Sequence, residues 1–187
     1  MTGAAELGVI RTERLELHVV RPVDYELLAI NRADPRLWID RGFTNPFGYL
    51  VEDAGPLPYR LPMVRADASQ APYLLRVAVL LESGVIVGGA GFHSLPDRDG
   101  VVEIGFEVCA PTRRNGFGTE ILHGMWGWVI DQPDVRVLRY SVGVGNVVSQ
   151  RIVRGLGFAH MGVQQDEIDG PEDVFEMSVA EYRTRQG

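Results

Sequence analysis

The sequence predicts a mixed α/β domain, of the α+β kind, with one central sheet. Two observations support this: strand and helix patterns alternate along the chain, and three strand patterns follow closely in its middle, as in an antiparallel meander. The hydrophobic fraction of 45% is too high for a disordered protein. A chain of 187 residues fits one domain over residues 1–187 and can bury a core without disulfides.

The chain opens with a strand pattern followed by helix patterns. Leucine and valine alternate with polar residues over 14–20, which predicts a strand with one buried face. Pro22 suits the first position of a helix, and the apolar spacing that follows predicts a helix over 22–32. A second, shorter helix is expected over 35–41.

Residues 42–72 follow neither the strand period nor the helix period. Prolines at 46, 56, 58, 62 and 72 and glycines at 42, 48 and 55 interrupt this stretch. Loops this long are uncommon in compact domains and often act as functional lids. We therefore expect an insertion without regular structure, which either closes over a binding cavity as a lid or is a surface loop.

The second half of the chain combines strands with two helices. Short turns at 82–84 and 97–100 separate the strands of the meander. Pro133 prevents the first of these helices from continuing. The predicted elements are strands at 74–81, 85–95 and 101–110, a helix at 116–130, a strand at 135–144, a helix at 146–155, and strands at 158–164 and 174–179.

The charged residues exclude several classes of function. Acidic residues number 25 and basic residues 18, and the resulting net charge of −7 argues against nucleic acid as a partner. Every basic residue is arginine, so no lysine is available for a Walker-type phosphate site or a Schiff base.

Cysteine usage and hydropathy set further limits. Cys109 is the only cysteine, and the histidines lack the carboxylate spacing of a metal site, so we expect no disulfide and no metal. No apolar run reaches the ~18 residues of a membrane span, and the N-terminus lacks a signal-peptide pattern. We therefore expect a cytoplasmic protein without a membrane partner.

One stretch has the pattern of a phosphate-binding turn. A buried strand runs into Arg113 and Arg114, and a helix begins at Gly116 and Gly118. The first turn of a helix exposes unpaired N–H groups, and glycine lets the backbone approach an anion closely. The stretch fits neither a Walker loop, which needs lysine, nor a Rossmann loop, which needs a third glycine where residue 121 is isoleucine.

Several segments, in the correct order, resemble the GNAT superfamily of N-acetyltransferases. Residues 113–118 fit the pattern Arg/Gln-x-x-Gly-x-Gly/Ala of its acyl-CoA pyrophosphate loop. Four further segments resemble the branch that acetylates the N-termini of ribosomal proteins: Gly-Thr-Glu at 118–120, Glu-Ile-Gly-Phe at 103–106, the helix pattern at 146–158 and the opening strand at 10–17.

The resemblance, which covers about residues 10–41 and 74–180, implies a fold and an activity. The implied fold has a mostly antiparallel sheet, a splayed parallel pair formed by its fourth and fifth strands, and about four flanking helices. Acetyl-CoA, the implied co-substrate, would enter the splay. The implied reaction is direct acetyl transfer to a primary amine, either a small amine or a peptide N-terminus, by a monomer or a homodimer.

The resemblance also implies the acetyl-CoA contacts. The family usually has a proline at the position of Ala110, whereas this chain has its proline one residue later, at Pro111. Many members also have a tyrosine that protonates the leaving thiolate, and Val153 stands at that position here. The branch often uses a serine instead, here Ser149, for which helix capping is the alternative role. The implied contacts are Glu107, Val108, Ala110, Arg113, Arg114, Asn115, Gly116, Phe117, Gly118, Thr119, Asn146 and Ser149.

Glu103 is the first candidate for the catalytic base that removes the amine proton. Strand alternation puts Glu103 and Glu107 on one face, and a carboxylate that faces the acceptor suits proton transfer. His93 is the rival, because histidine titrates near neutrality, and a purely structural role is the alternative for each. The expected substrate-binding residues are Trp38, Phe43, His93 and Glu107, of which Glu107 could bind a cationic acceptor.

A second interpretation of the same motifs is a non-catalytic acyl-CoA-binding or sensory module. Val153 favours this module, because its side chain cannot act as an acid. Glu103, Ser149 and the intact loop favour the enzyme. Release of free CoA with a panel of amines would distinguish the two hypotheses.

Overall fold

The computed structural model describes residues 8–166 and 170–186, which fall into two compact units. The first unit comprises residues 8–91 and Phe106–Met125, and the second comprises Phe92–Gly105 and the described residues from 126 onwards. A strand at Val101–Val108 and a helix at Phe117–Val129 each contribute residues to both units.

The described residues form eight strands and six α-helices. The strands are β1 (Ile10–Arg11), β2 (Leu15–Val19), β3 (Arg76–Leu80), β4 (Ile86–Phe92), β5 (Val101–Val108), β6 (Val137–Gly143), β7 (Ala159–Asp166) and β8 (Gly170–Ser178). The helices are α1 (Pro22–Ile30), α2 (Leu57–Ala66), α3 (Ala71–Leu74), α4 (Phe117–Val129), α5 (Val147–Gly155) and α6 (Val179–Gln186). Neighbouring strands follow the order β1-β2-β3-β4-β5-β6-β8-β7.

In the first unit, β2 has the predicted alternation. Leu15, Leu17 and Val19 are buried, and the strand pairs in antiparallel register with β3. Buried side chains from α1, α2, α3 and strands β2–β4 form one core cluster, which includes Val19, Tyr25, Leu28, Trp38, Tyr49, Leu57, Val64, Leu74, Val77 and Ile86.

The expectation that residues 42–72 lack regular structure is wrong. Helix α2 occupies Leu57–Ala66, and a 3-10 turn and α3 follow it. Pro56 is the N-cap and Pro58 lies in the first turn, where backbone N–H groups have no helical partner to lose. Pro62 removes one internal hydrogen bond, and the burial of Leu57 and Val64 offsets that loss.

Other element boundaries also differ from the prediction. The helix expected over 35–41 is reduced to a 3-10 turn at Ile39–Arg41, because Trp38 before it has left-handed backbone with φ of 72°. The last strand begins earlier than expected, and helix α6 follows it. No apolar periodicity marks α6, since Tyr182 is its one buried residue among those with described side chains.

In the second unit, β6 pairs with β8, and β7 pairs with the other side of β8. These pairs are antiparallel, whereas β5 and β6 are parallel. The ring of Trp126, on α4, lies 5.6 Å from the Phe92 ring centroid and 5.7 Å from that of Phe158. Aromatic packing therefore joins the start of this unit to the residue that precedes β7.

The prediction of a mixed α/β fold with a mostly antiparallel sheet and one parallel pair is confirmed. The described residues form six α-helices where about four were expected. Over 8–166 and 170–186, each helix is too short or too polar to cross a lipid bilayer.

Candidate active site

The loop between β5 and α4 is the predicted phosphate-binding segment. A 3-10 turn at Ala110–Thr112 precedes it, and Arg113, Arg114 and Asn115 are all exposed. Arg114 and Gly116 have left-handed backbone, with φ of 66° and 82°. Two exposed guanidinium groups therefore flank the start of a 13-residue helix, whose N-terminal N–H groups and dipole favour an anion.

Glu120, in the first turn of α4, is the anchor of this loop. Its Oε1 accepts hydrogen bonds from Thr12 Oγ1 at 2.6 Å and from the Arg14 backbone N–H at 2.7 Å. Its Oε2 accepts from Arg14 Nε at 2.8 Å and lies 2.6 Å from Arg14 Nη2. Burial opposes ionisation of Glu120, but the hydrogen bonds outweigh it and hold the pKa of this carboxyl below its usual value.

Arg14 also contacts the loop itself. Arg14 Nη1 donates to the Asn115 carbonyl at 3.0 Å, and the guanidinium lies 4.7 Å from the centroid of the Phe117 ring. The opening-strand motif, with Thr12 and Arg14, and the Gly-Thr-Glu motif therefore meet in one polar cluster. This cluster fixes the position of the loop backbone.

At the end of β5, backbone groups of Val108 and Cys109 have hydrogen-bond partners within the first unit. The Cys109 N–H donates to the Val87 carbonyl at 2.8 Å. The Val108 carbonyl accepts a hydrogen bond from Arg113 Nε at 2.9 Å, because the 3-10 turn folds the arginine back towards the strand. The Arg113 side chain therefore occupies one of the two acceptor sites of the Val108 carbonyl.

The parallel pairing between β5 and β6 is short. It joins Val101–Glu103 to Val137–Arg139. Beyond Glu103, the two strands form no further pair in the described part of the chain, although β5 continues to Val108 and β6 to Gly143. The parallel strands therefore stop pairing near the residue that was predicted as the base.

His93 and Glu103, predicted as rival bases, lie side by side in the second unit. The His93 backbone N–H donates to the Glu103 carbonyl at 2.8 Å, and His93 Nδ1 lies 3.7 Å from Glu103 Oε1. A Cβ atom on Gly105 would lie 3.4 Å from His93 Nε2, so glycine leaves room for the imidazole. The imidazole is half-exposed and the carboxylate mostly buried, which suits a base supported by a counter-charge.

The first turn of α5 carries the other predicted residues. Asn146 caps the helix, because its Oδ1 accepts a hydrogen bond from the Ser149 N–H at 3.1 Å. The cap uses only the backbone of Ser149. Its hydroxyl interacts with the buried phenol of Tyr140 on β6 and opposes the rise in the pKa of that phenol.

Tyr140 and Val153 complete the surroundings of Ser149. Tyr140 is buried, and this burial raises the pKa of its phenol, although the interaction with Ser149 partly opposes the increase. Val153 lies one helical turn after Ser149 and is buried, so it offers only methyl groups. At the position where the resemblance implies a tyrosine, α5 therefore carries no phenol.

Glu107 lies near the end of β5 with an exposed side chain. Partial desolvation, and then the negative charge of Asp53, raise the pKa of its carboxyl, while Arg113 opposes them. The carboxylates of Glu107 and Asp53 are close enough to influence each other, and they form an electronegative region in the first unit. Such a region attracts a cationic amine.

Trp38 and Phe43 line a cavity of about 530 Å³ formed by residues 32–51. Trp38 also belongs to the core cluster and is nearly inaccessible. The Phe43 ring lies 4.5 Å from the His18 ring and 5.1 Å from the Arg41 guanidinium. Both aromatics thus have packing roles in addition to lining the cavity, and their contact with an acceptor stays a prediction.

Sequence reasoning missed Tyr140, Asp53 and the function of Glu120 as an anchor. The Thr12, Arg14 and Glu120 signatures were recognised separately, but no sequence pattern indicates that residues about 106 positions apart bind each other. Metal chemistry has no evident donor set: over the described ranges, no three His, Cys, Asp or Glu side chains are grouped to hold an ion.

Comparisons with known proteins identify relatives of the chain. The family model described as an acetyltransferase (GNAT) domain matches residues 14–159. The uncharacterized N-acetyltransferase YjdG of Bacillus subtilis (strain 168) is 34% identical over 73 residues, which are 39% of this chain. The match spans 44% of the length of that relative.

Solved structures share the fold at low sequence identity. RimL, a ribosomal L7/L12 alpha-N-protein acetyltransferase in complex with coenzyme A, is 12% identical with a TM-score of 0.62, over 91% of this chain and 98% of that one. A chimera of the spermidine N-acetyltransferase SpeG from Vibrio cholerae and hSSAT is 11% identical with a TM-score of 0.64, over 92% of this chain and 100% of the chimera. These similarities concern the fold alone.

Proposed function

Because this chain belongs to the GNAT acetyltransferase family, we propose that it transfers the acetyl group of acetyl-CoA directly to a primary amine. The observation that carries this proposal is the loop from Arg113 to Gly118, which presents two exposed arginines at the start of α4 and is held by Glu120. Such a loop binds a pyrophosphate without lysine or metal.

The proposed acetyl-CoA site extends from this loop to both flanking elements. Arg113 and Arg114 supply positive charge, and the first turn of α4 supplies N–H groups and the positive end of the helix dipole. RimL, which shares the fold, binds coenzyme A in its solved structure. The further proposed contacts are Glu107, Val108, Ala110, Asn115, Gly116, Phe117, Gly118, Thr119, Asn146 and Ser149.

His93 and Glu103 are the proposed source of general base catalysis. The His93 imidazole takes a proton from the acceptor ammonium, directly or through water, and the free amine attacks the thioester carbonyl. Glu103, with its carboxylate 3.7 Å from the imidazole, stabilises the imidazolium that results. The two predicted rivals thus act as one unit.

Ser149 is the proposed hydrogen-bond donor to the leaving sulfur. As the C–N bond forms and the C–S bond breaks, the electron pair of the broken bond stays on sulfur, and the hydroxyl stabilises that charge. His93 keeps the proton taken from the ammonium until solvent removes it. The attacking nitrogen loses its second proton to water as the amide forms, and the thiolate takes a proton from water on release.

The proposed acceptor is a cationic amine, either small or at a peptide N-terminus. Glu107 and Asp53 favour a positively charged group, and Trp38 and Phe43 line a cavity large enough for an alkyl chain or side chain. RimL acts on a ribosomal protein and SpeG on spermidine, so both acceptor classes occur on this fold.

A turnover assay tests the proposal. Release of free CoA is measured with spermidine, simple alkylamines and peptides that begin with alanine or serine. We expect turnover with at least one acceptor, and a decrease in kcat of about 10²-fold or more for His93→Gln, as is typical for loss of a general base. Binding of acetyl-CoA without CoA release across the whole panel would contradict the proposal.

Matched variants control for nonspecific damage. His123 on α4 and Glu82 in the β3–β4 turn are exposed residues of the same types. His123→Gln and Glu82→Gln should retain wild-type kcat, whereas His93→Gln and Glu103→Gln should not. Equal losses in all four variants would indicate a general effect on folding rather than a base.

A non-catalytic acyl-CoA-binding module is the second candidate function. It is favoured by Val153, which is buried and cannot donate a proton to sulfur. This candidate predicts tight binding of acetyl-CoA with no acceptor-dependent release of CoA. The same titrations and turnover assays separate it from the enzyme.

A further inference from the structure

We propose that the cavity lined by Trp38 and Phe43 selects an acceptor amine with an uncharged apolar tail and rejects one that carries a second ammonium group. Arg41 and Arg36 set this selectivity. The inference rests on the proposed function, which brings the tail of the acceptor into this cavity. Among small amines, it separates monoamines, which fit the cavity, from polyamines, which do not.

Arg41 packs on both aromatic walls of the cavity. Its guanidinium carbon lies 5.2 Å from the centroid of the Trp38 ring and 5.1 Å from that of the Phe43 ring, within the range of a cation–π interaction. Trp38 and Phe43 line the cavity, whereas Arg41 is not among the described residues that line it. The two rings therefore already stabilise one cation from outside the cavity, and a second cation inside it gains less from them.

Hydrogen bonds hold Arg41 in this position. Its Nη1 donates to the Val19 carbonyl at 3.0 Å, and its Nη2 donates to Asp24 Oδ2 at 2.9 Å. Asp24 is buried and is also paired with Arg21. The Arg41 side chain is 16% exposed, so solvent screens its charge only in part. The guanidinium is therefore a fixed part of the wall and not a mobile surface charge.

The charged residues of the cavity wall offer no free counter-charge. Asp34 is the one carboxylate among the described lining residues, and it accepts hydrogen bonds from Arg36 Nε at 2.9 Å and Nη2 at 2.6 Å. These bonds lower the pKa of the Asp34 carboxyl to about 2. Arg32, also in the wall, donates to the carbonyls of Val51 and Glu52. A second ammonium group would therefore lose its hydration without gaining a partner.

The cavity adjoins the proposed site of the reacting amine. Gly48 and Val51 line the cavity, and Tyr49, between them, places its hydroxyl against Gly89 of β4. Burial raises the pKa of the Tyr49 phenol, and the negative charge of Glu107 raises it further. An amine that binds Glu107 through its ammonium group can therefore extend its tail past Tyr49 into the cavity.

Hexylamine and 1,5-diaminopentane test the selectivity, because the diamine has an ammonium group where hexylamine has its terminal methyl group. The value of kcat/KM is measured by CoA release, and the affinity is measured by calorimetric titration in the presence of CoA. We expect wild type to prefer hexylamine about tenfold or more in both measurements, because an unpaired charge is costly to bury.

Two variants should decrease this preference. Arg36→Gln frees the Asp34 carboxylate to pair with the second ammonium group, so the preference should fall about two- to fivefold, as one exposed ion pair supports. Arg41→Gln removes the cation from both rings and should change the preference in the same direction. Arg36 is largely exposed, so its variant decides the question even where Arg41→Gln does not fold.

Arg65→Gln is the matched control. It frees the carboxylate of Glu26 from another exposed ion pair, and neither residue is among those described as lining the cavity. The preference for hexylamine should therefore stay at its wild-type value. An equal decrease in Arg65→Gln and Arg36→Gln would assign the effect to overall charge and overturn the inference.

The remaining outcomes are distinguishable. Equal use of the two amines by wild type, a preference for the diamine, or no binding of either amine would overturn the inference. An unchanged preference in Arg36→Gln would show that Asp34 does not meet the tail, and would also overturn it. Tighter binding of hexylamine without CoA release from either amine would support the selectivity of the cavity and contradict the proposed function instead.

Discussion

Replacement of Glu120 by glutamine is the sharpest test of how the loop is held. The carboxylate accepts from Thr12 Oγ1 and from the Arg14 backbone through Oε1, and from the Arg14 guanidinium through Oε2. Glutamine can keep the first two bonds. Its NH₂ group then faces the guanidinium N–H groups, so two donors oppose each other and the ion pair is lost.

The structure sets the size of this effect. The Glu120 side chain is 13% exposed, but Arg14 is 45% exposed, so solvent screens part of the attraction. We expect a loss of about 1–2 kcal/mol in the free energy of unfolding, above a surface pair and below a fully buried one. For a chain of this size, that corresponds to a decrease in Tm of about 2–8 °C.

The pH dependence has a definite sign. The folded-state pKa of Glu120 lies below its ordinary value of 4.5, so the carboxylate contributes stability above pH 4.5. That contribution is lost as the pH falls through the folded-state pKa. The difference in Tm between wild type and Glu120→Gln should therefore be full near neutrality and shrink in acid.

Thermal unfolding monitored by circular dichroism, at neutral and acidic pH, measures this difference. Glu26→Gln is the matched control, because Glu26 forms a 2.7 Å pair with Arg65 in which both side chains are about half-exposed. The control should leave Tm unchanged. Equal Tm values for Glu120→Gln and wild type would refute the anchor, and so would a difference that persists unchanged in acid.

Three further predictions concern the remaining elements. Gly105→Val should displace the His93 imidazole and decrease kcat at unchanged acetyl-CoA affinity. Gly127→Val, at a position with open space, should leave kcat unchanged. A kcat of Gly105→Val equal to that of wild type would contradict the contact between residue 105 and His93. Asn146→Ala should remove the α5 cap and about 1 kcal/mol of stability, measured by urea unfolding, and no change would indicate that the cap is dispensable. Burial of Cys109 raises the pKa of its thiol to about 11. The thiol should therefore react with a thiol reagent at neutral pH only after the protein unfolds. Rapid labelling of the folded protein would contradict this prediction.

Periodicity in the sequence predicted most of the fold. The alternation in β2 and the apolar spacing of α4 placed those elements within two residues of their observed ends. Helix α2 was missed because its prolines were counted as helix breakers, although Pro56 and Pro58 occupy N-terminal positions that tolerate proline. Helix α6 was missed because its polar sequence gives no period.

The site was predictable only where its residues are adjacent in sequence. The pattern of the loop at 113–118 lies in adjacent residues, so the sequence alone indicates it. The anchor at Glu120 joins residues about 106 positions apart, and tertiary structure alone brings them together. His93 and Glu103 were identified singly, and only the pairing of their strands makes them neighbours.

The central claim is that the loop before α4 binds the pyrophosphate of acetyl-CoA. Calorimetric titration of acetyl-CoA into wild type, Gly118→Trp and Gly127→Trp tests it most directly, because both substitutions place the same bulk on α4 but only one lies at the loop. We predict micromolar-strength binding to wild type and Gly127→Trp and none to a folded Gly118→Trp. Absence of binding to wild type, or equal affinity in all three proteins, would contradict the account.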